Sequence, residues 1–323
     1  MSIQSEIDRI NSEVAEQASL IDEIAQILEG KTGGNDEILK SLLERTVKDF
    51  TVPEGTKKIG SNAFYKCQEL VEVTFPESLT SLGDGAFSGC VALGAVSIPE
   101  GVTSIGDGAF SGCASLTLTE LPEGITGLGT GTFSGCAALE LTSLPSGMTS
   151  IGTSCFTSCA NLALTSLPAG ITSVGNSAFS GCKKLALAAL PEGLTKIGSN
   201  VFRLCESMVL TNLPDSITSI GSNAFYGCSG IELTALPESL TSIESIAFYG
   251  CTKLKKIWIT KNCKTIYGSS QTSAPFYECS NLTDIYTDAP SKQSGWGTYF
   301  NYTGDGKQAT VHYNVSKQEF EAL

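Results

Sequence analysis

The sequence predicts a repeat solenoid, in which similar coils stack on one another and share a parallel β-sheet face. Three observations predict this fold. Proline recurs every 23 residues from Pro53 to Pro237, and columns of phenylalanine and cysteine with the same period begin at Phe64 and Cys67. A period in this range indicates one supersecondary unit that buries its apolar side only against its copies. We therefore expect about ten coils over residues 51–284.

One copy, residues 116–138, shows how a coil is expected to form. A short strand ends at Pro122, which presets a turn, and a second extended piece follows. Phe133, Cys136 and Leu139 lie three residues apart, so a helical or 3₁₀ turn directs all three inward. Most later copies carry leucine four residues before the proline, whereas the early copies carry valine three residues before it. We interpret this difference as a bulge or a local strand shift.

Ten of the twelve cysteines lie on the repeat column, while Cys155 and Cys263 lie outside it. One cysteine per coil forms a row and not the tetrahedron of a structural zinc site, and the chain has no C-x-x-C pair. We expect buried, reduced thiols that act as small apolar side chains, and we predict no metal and no other cofactor. Disulfides between neighbouring coils stay open as an alternative, because strand spacing brings such cysteines within bonding range.

Residues 1–34 are predicted to form a heptad helix followed by a glycine-containing linker. The heptad positions alternate by four and three over four heptads, and they are Ile3, Ile7, Ile10, Val14, Gln17, Ile21, Ile24 and Leu28. Isoleucine at both core positions favours trimers over dimers, so these residues are candidate contacts of a homotrimeric coiled coil. The alternative is one amphipathic helix that lies on the open end of the solenoid. Residues 35–50 are expected to form a helical N-terminal cap, and residues 285–323 an aromatic-rich C-terminal cap.

The repeat has the form C-x-x-L…[IL]-P-x-x-[ILV]-T-x-[IL]-G-x-x-A-F-x-x-C over residues 53–282. This arrangement resembles the BspA-like, or treponemal-type, leucine-rich repeat family. The resemblance implies an α/β leucine-rich-repeat solenoid of right-handed coils, usually at a bacterial surface, that adheres to proteins or other cells and has no enzymatic activity. Residues 1–30 are more weakly similar to N-terminal helices of prophage tail or fibre proteins, and this similarity suggests a phage-like particle as the alternative location.

Charge and composition argue against several function classes. With 33 acidic and 20 basic residues the net charge is −13, which argues against nucleic acid or an anionic membrane surface as the main partner. No run of 18 apolar residues predicts membrane insertion, and the chain starts with acidic and polar residues where an export signal would be basic and then apolar. The single histidine, His312, has no evident partner in the sequence, so no catalytic residue is predicted.

Two surfaces are candidate binding sites for a protein or a glycan. The residues two positions before each proline are small and mostly polar, which predicts weak or multivalent recognition on the strand face; the candidates are Thr74, Ser97, Glu120, Ser143, Ser166 and Asn212. The C-terminal cap is rich in aromatic residues that either cover the core of the last coil or form an exposed platform. The candidates there are Trp296, Tyr299, Phe300 and Tyr302.

A column of carboxylates follows the prolines. It consists of Glu54, Glu77, Glu100, Glu123, Glu192, Asp215 and Glu238, and it is interrupted at positions 146 and 169. We interpret these residues as solvated turn positions, with bridging by Ca²⁺ as the less favoured alternative.

The sequence thus predicts a non-enzymatic binding protein for adhesion or recognition at a bacterial or host cell surface. The alternative is a phage-like tail or fibre protein whose solenoid is the receptor-contacting tip.

Overall fold

The computed structural model describes residues 45–323. The predicted heptad helix and linker over residues 1–34, with the candidate trimer contacts, lie outside this range and stay a prediction. Of the predicted helical cap over residues 35–50, only the end is described, and there Asp49–Thr51 form a β-strand in place of a helix. Phe50 is buried while both its neighbours are exposed, an alternation that suits a half-buried strand.

The described chain is a solenoid of short parallel strands, which confirms the predicted fold class. Paired residues are usually one repeat apart, as Ser81 and Ser104 are. The hairpin of β15 and β16 is the antiparallel exception among the described strands. The strands are β1 (Asp49–Thr51), β2 (Lys58–Ile59), β3 (Glu72–Thr74), β4 (Ser81–Leu82), β5 (Ser104–Ile105), β6 (Gly127–Leu128), β7 (Ser150–Ile151), β8 (Ser173–Val174), β9 (Lys196–Ile197), β10 (Ser219–Ile220), β11 (Ser242–Ile243), β12 (Lys256–Trp258), β13 (Thr265–Ile266), β14 (Asp284–Tyr286), β15 (Tyr302–Gly304), β16 (Lys307–Gln308) and β17 (Thr310–His312).

One face of the solenoid carries a strand in every coil. It consists of β2, β4 to β11 and β13, and we call it the long face. These strands form three consecutive sheets, ordered β2-β4-β5, β6-β7-β8 and β9-β10-β11-β13. They arise from the second extended piece of each repeat, after the proline, where an isoleucine, leucine or valine points inward.

The segments before each proline form a second face of the solenoid, and they pair as a ladder of strands only at the two ends of this face. We call it the interrupted face; β1 and β3 pair at its start, and β12, β14 and β17 pair at its end. In the middle coils a strand before the proline was expected, and the structure instead shows irregular extended chain. One backbone bond joins each pair of successive coils there, as from Glu140 N–H to the Leu118 carbonyl at 3.3 Å and from Val209 N–H to the Leu187 carbonyl at 3.1 Å. This region includes the copies whose leucine stands four residues before the proline, and also the copy before Pro99, in which Val96 stands three residues before it.

The most continuous backbone ladder lies in the turns around the phenylalanines. Phe87 N–H donates to the Ala109 carbonyl at 2.7 Å, and Gly89 N–H donates to the Ser111 carbonyl at 2.7 Å. The pattern recurs in every coil from Phe64 to Gly250. The residues two before and two after each of these phenylalanines have positive φ, as Gly85 does at 61° and Gly89 at 79°. Glycine, asparagine and serine are frequent at these positions because bulkier residues resist the left-handed conformation.

The phenylalanine and cysteine columns form the core. Neighbouring rings from Phe64 to Phe276 stack with centroids 4.9–5.7 Å apart and planes within 16° of parallel. Each repeat cysteine from Cys90 onward donates its S–H to the carbonyl of the phenylalanine in the preceding coil, as Cys113 does to Phe87 at 3.0 Å. All twelve cysteines are buried, as predicted for the repeat column, and the structure shows no disulfide between them. Each thiol therefore fills a small apolar space and satisfies a buried carbonyl.

The chain after the last coil folds into a compact cap. The turn of the β15–β16 hairpin consists of Asp305 and Gly306, whose φ values are 49° and 75°, the backbone that Asp-Gly pairs favour in two-residue hairpins. A short helix, Lys317–Glu321, follows β17, and the Ser316 side chain caps its N-terminus by accepting from Glu319 N–H. In residues 45–323, no helix is long and apolar enough to cross a membrane.

The cysteine column predicts that stability falls in alkaline solution. Burial raises the pKa of Cys228 and Cys279 from 9.0 to about 12, because it penalises the thiolate. Above pH 9 the unfolded chain releases these protons while the native chain keeps them, so the free energy of unfolding decreases as pH rises. Each such thiol contributes up to about 1.4 kcal/mol per pH unit. Urea denaturation between pH 7 and pH 11 measures this slope.

A double variant, Cys228→Ala with Cys279→Ala, is the matched control for this slope. Its stability at neutral pH is expected to be lower, because two buried side chains shrink and two S–H bonds are lost. Its decline above pH 9 is expected to be shallower than that of the unmodified chain, since two titrating thiols are absent. An identical slope in both proteins would contradict the assignment of the alkaline decline to the buried thiols.

Candidate recognition surfaces

The six candidate residues of the strand face lie in one exposed column on the interrupted face. All six are exposed: Thr74, Ser97, Glu120, Ser143, Ser166 and Asn212. The repeat places them at the same position in successive coils, so they share one face although they are up to six coils apart in sequence. Buried residues flank the first two candidates on both sides, as Val96 and Ile98 flank Ser97, whereas in the later coils the residue before the candidate is also exposed. The column is therefore an outward edge of the scaffold with small, polar side chains.

The start of this column borders a shallow depression of about 470 Å³. Thr74 and Ser97 line it together with Glu77, and Phe75 and Val96 form its apolar floor. The structure thus brings two of the six predicted residues into one concave site. The other four lie further along the face and belong to no such depression among the best-formed ones in the described chain.

A second depression, of about 510 Å³, lies on the long face over coils whose strands are β8 to β11. Its rim is polar: Ser173, Ser219 and Ser242 stand in one column, and Lys196 and Glu244 contribute charges of opposite sign. This site was not identified from the sequence. The available signal is the residue before each inward isoleucine, which is serine in most copies and lysine at position 196.

The carboxylate column is exposed, in agreement with solvated turn positions. Where the column is interrupted, a carboxylate contacts the next coil: Glu123 accepts hydrogen bonds from the backbone N–H of Ser146 at 3.1 Å and from its hydroxyl at 3.0 Å. Within residues 45–323 there is no cluster of three or more side chains suited to holding a metal ion. The column therefore forms a charged edge with contacts inside the chain.

The aromatic residues of the C-terminal cap are mostly core residues, which favours the first of their two predicted roles, cover of the last coil, over an exposed platform. Trp296, Phe300 and Tyr302 are 3%, 4% and 6% exposed, and only Tyr299 is half-buried. The indole Nε1–H of Trp296 donates to the Cys263 carbonyl at 2.7 Å, and its ring packs 4.9 Å from that of Phe300. These side chains cover the apolar end of the last coil, since no further coil follows to bury it.

An aromatic row that sequence reasoning did not identify runs along the turns of the last coils. We call Tyr226, Tyr249, Tyr277 and Tyr302 the tyrosine row. The rings of Tyr226 and Tyr249 stack 4.2 Å apart, those of Tyr249 and Tyr277 lie 5.6 Å apart, and those of Tyr277 and Tyr302 lie 6.0 Å apart. Three of its members directly follow a core phenylalanine, and Tyr302 of the cap takes the next position. The first three tyrosines are half-buried, so their outer edges reach solvent.

The single histidine has a partner that the sequence did not reveal. His312 Nε2 lies 2.7 Å from Asp284 Oδ1, and the imidazole stacks 4.5 Å from the ring of Tyr286. Asp284 also accepts from the Thr283 hydroxyl at 2.7 Å, and these hydrogen bonds hold the pKa of the carboxyl below its ordinary value. The hydroxyl bonds to the carboxylate and not to the imidazole, so the group is not a nucleophile–histidine pair. It joins β14 to β17 in the cap.

The geometry of stacked parallel coils matches a known repeat family. The model of the BspA-type leucine-rich repeat region matches residues 41–163, 81–211, 149–283 and 195–318. The chain belongs to the BspA-type leucine-rich repeat family. This confirms the resemblance that the proline, phenylalanine and cysteine columns indicated, and no enzyme family is indicated for this BspA-type chain. No curated protein matches it.

Solved structures share the BspA-type solenoid. The pneumococcal vaccine antigen PcpA has a TM-score of 0.54 and 18% identity, covering 85% of this chain and 76% of its own. A leucine-rich repeat protein from Bacteroides ovatus is 24% identical, covers 83% of this chain and 84% of its own, and has a TM-score of 0.45. A leucine-rich cell surface protein from Faecalibacterium prausnitzii is 22% identical and has a TM-score of 0.40, and the match covers 86% of this chain and 90% of its own. The weaker prophage similarity of residues 1–30 gains no support from these comparisons.

The burial of the cap aromatics predicts different costs for two neighbouring truncations. We expect Trp296→Ala to lower the free energy of unfolding by about 3–5 kcal/mol, because it removes a fully packed indole and its hydrogen bond. Tyr299→Ala, at a half-buried position, is expected to cost clearly less. Chemical denaturation followed by far-ultraviolet circular dichroism measures both. Equal, small losses of unfolding free energy in the two variants would contradict the packing of Trp296 in the core and would indicate that its side chain lies at the surface.

Proposed function

We propose that the protein is a non-enzymatic binding protein that recognises a protein or glycan at a bacterial or host cell surface. The observation that carries this proposal is the column of small, exposed, mostly polar residues that recurs along the interrupted face on a continuous scaffold. Membership of the BspA-type leucine-rich repeat family supports it, since leucine-rich repeat proteins generally mediate interactions with other proteins.

The chemistry of the interrupted face favours many weak contacts over one tight contact. Tight interfaces usually depend on tryptophan, tyrosine or arginine anchors, and the column offers serine, threonine and asparagine instead. Because the coils are locked in register, a repeating ligand such as a polymer or a clustered receptor engages several positions at once. Simultaneous contacts raise the effective affinity without any single strong site.

We further propose that residues 1–28 join three chains into a homotrimer. The heptad pattern with isoleucine at both core positions supports this arrangement. Three solenoids on one stem multiply the number of weak contacts with a cell surface. Avidity of this kind exceeds the affinity of one module by about two to four orders of magnitude when the geometry permits simultaneous binding.

Binding of the labelled full chain to bacterial and epithelial cells, measured by flow cytometry, tests the proposed recognition. A triple variant, Ser97→Arg, Ser143→Arg and Ser166→Arg, places bulky charges on the interrupted face and is expected to lower binding at least about tenfold. The matched control is Val91→Arg, Ala114→Arg and Ala137→Arg, which adds the same charge at exposed turn positions where a later coil carries Lys183. The proposed face would be contradicted if the full chain bound neither bacterial nor epithelial cells, or if both triple variants lost cell binding equally.

The same assay with a chain starting at Asn35 separates the trimer from the recognition surface. Light scattering is expected to give the mass of a trimer for the full chain and of a monomer for the shortened chain. Apparent affinity for cells is then expected to fall about a hundredfold on shortening. Equal monomeric masses would exclude the trimer and leave recognition by a single solenoid.

A further inference from the structure

The residue that follows each core phenylalanine changes character along the solenoid. It is a serine or threonine in the middle coils, at Ser88, Ser111, Ser134, Thr157 and Ser180, and it becomes Arg203, Tyr226, Tyr249 and Tyr277 in the last four coils. The coil packing does not require these large side chains, because the middle coils have the same stacking with small ones. The tyrosine row is therefore an addition to one end of a uniform scaffold.

Cations already occupy the other aromatic positions of this column. The guanidinium of Arg203 lies 4.9 Å from the ring centroid of Tyr226, at the start of the tyrosine row. At the opposite end of the solenoid, the guanidinium of Arg45 and the ammonium of Lys66 lie 5.3 Å and 4.9 Å from the ring of Tyr65. A cation over a tyrosine face is attracted by the ring quadrupole. The column thus uses its tyrosines as cation acceptors within the chain.

The far end of the row carries negative charge in place of a cation. Within residues 45–323, no lysine or arginine lies over Tyr249, Tyr277 or Tyr302. The carboxylates of Glu278 and Asp305 lie near Tyr277 instead, and neither forms a salt bridge within the described chain. Asp305 is exposed at the hairpin tip and Glu278 is half-exposed. Among residues 45–323, the site therefore offers aromatic rings and carboxylates that no salt bridge neutralises.

The ring geometry at this end suits a guanidinium better than a sugar. Tyr226 and Tyr249 are nearly parallel at 5° and 4.2 Å, so no free face remains between them for a pyranose ring. The rings of Tyr249 and Tyr277 are tilted by 56°, so one ring does not fully cover the other. A planar guanidinium or a compact ammonium needs only such a limited surface, and it gains further from nearby carboxylates.

We propose that Tyr249 and Tyr277, with Glu278 and Asp305, bind arginine or lysine side chains of a basic segment in a partner protein, while the buried ring of Tyr302 packs against Tyr277 from the cap. This proposal rests on the proposed recognition function and names the chemistry of one class of partner. The net charge of −13 adds long-range attraction for such a segment. The site lies at the C-terminal end of the solenoid, opposite the end where the described chain starts at Arg45.

The probe is a fluorescein-labelled peptide with four arginines separated by glycine and serine, titrated with the full chain and followed by fluorescence anisotropy. A peptide with citrulline in place of arginine has nearly the same shape without the charge. We expect saturable binding of the arginine peptide and at least about tenfold weaker binding of the citrulline peptide. Equal binding of both peptides, or no saturable binding of the arginine peptide up to about 1 mM, would overturn the proposal.

The repeat supplies substitutions that the coil already tolerates. Tyr249→Ser with Tyr277→Ser restores the serine of the middle coils and is expected to weaken the arginine peptide about tenfold. Tyr65→Ser, at the opposite end, is the control and is expected to leave binding unchanged. Unaltered binding by the double variant overturns the proposal.

Glu278→Gly is a second variant that does not depend on the fold of the double variant. Glycine suits the φ of 60° at this position and occupies it in the two preceding coils, at Gly227 and Gly250. Arginine-peptide binding is expected to weaken about threefold and to become less dependent on salt. Unchanged affinity together with unchanged salt dependence would count against the proposal.

Cell binding by the same variants separates this inference from the proposed function. If the full chain binds cells but not the arginine peptide, the basic-segment proposal fails while recognition stands. If it binds the arginine peptide but no cells, the site stands and surface recognition fails. If the chain binds cells, and a glycan inhibits that binding while the arginine peptide does not, the partner is a carbohydrate and the proposal is overturned.

Discussion

The backbone ladder in the turns is the interaction on which the rest of the structure depends. In each coil alternate N–H groups around the phenylalanine donate to the next coil, and this pattern is unbroken from Phe64 to Gly250. It fixes the register that stacks the phenylalanine rings and that aims each cysteine S–H at a carbonyl of the coil before. Without these bonds the buried polar groups of the turns would be left unsatisfied, at a cost that the apolar core would have to offset.

The sequence predicts the periodic part of the fold and not its ends. The columns of proline, phenylalanine and cysteine determine the coil, because each has a packing role that repeats. The strand expected before every proline is absent in the middle coils, where the turn ladder holds the coils without it. The strand at Asp49–Thr51 lies one repeat before β3 and so belongs to the periodic pattern, although a helical cap was predicted up to residue 50. The Asp305–Gly306 hairpin depends on contacts with the last coils, and these contacts leave no periodic signal.

Function is expected where an exposed column departs from what packing requires. The predicted strand-face column is exposed throughout, and two of its residues border one depression. The predicted cap residues Trp296 and Phe300 instead cover the core, because an uncapped coil would expose its apolar end. The tyrosine row was missed because its members are spread over three coils and the cap, and they meet only when the coils are stacked. The number of aromatic residues in a segment does not distinguish those that cover the core from those that reach the surface, but their position in the repeat does.

Hydrogen exchange of the full chain, resolved to single residues, tests most directly whether the turn ladder carries the fold. The account predicts that the amides of Phe133 and Phe156, which donate to the next coil, exchange among the slowest in the chain. The amides of the irregular segment between Leu139 and Pro145 are predicted to exchange faster, although this segment lies in the same coils. Rapid exchange of the two phenylalanine amides, together with slow exchange of the amides before the prolines, would contradict the role of the turn ladder. It would indicate that the hydrogen bonds of the interrupted face stabilise the solenoid instead.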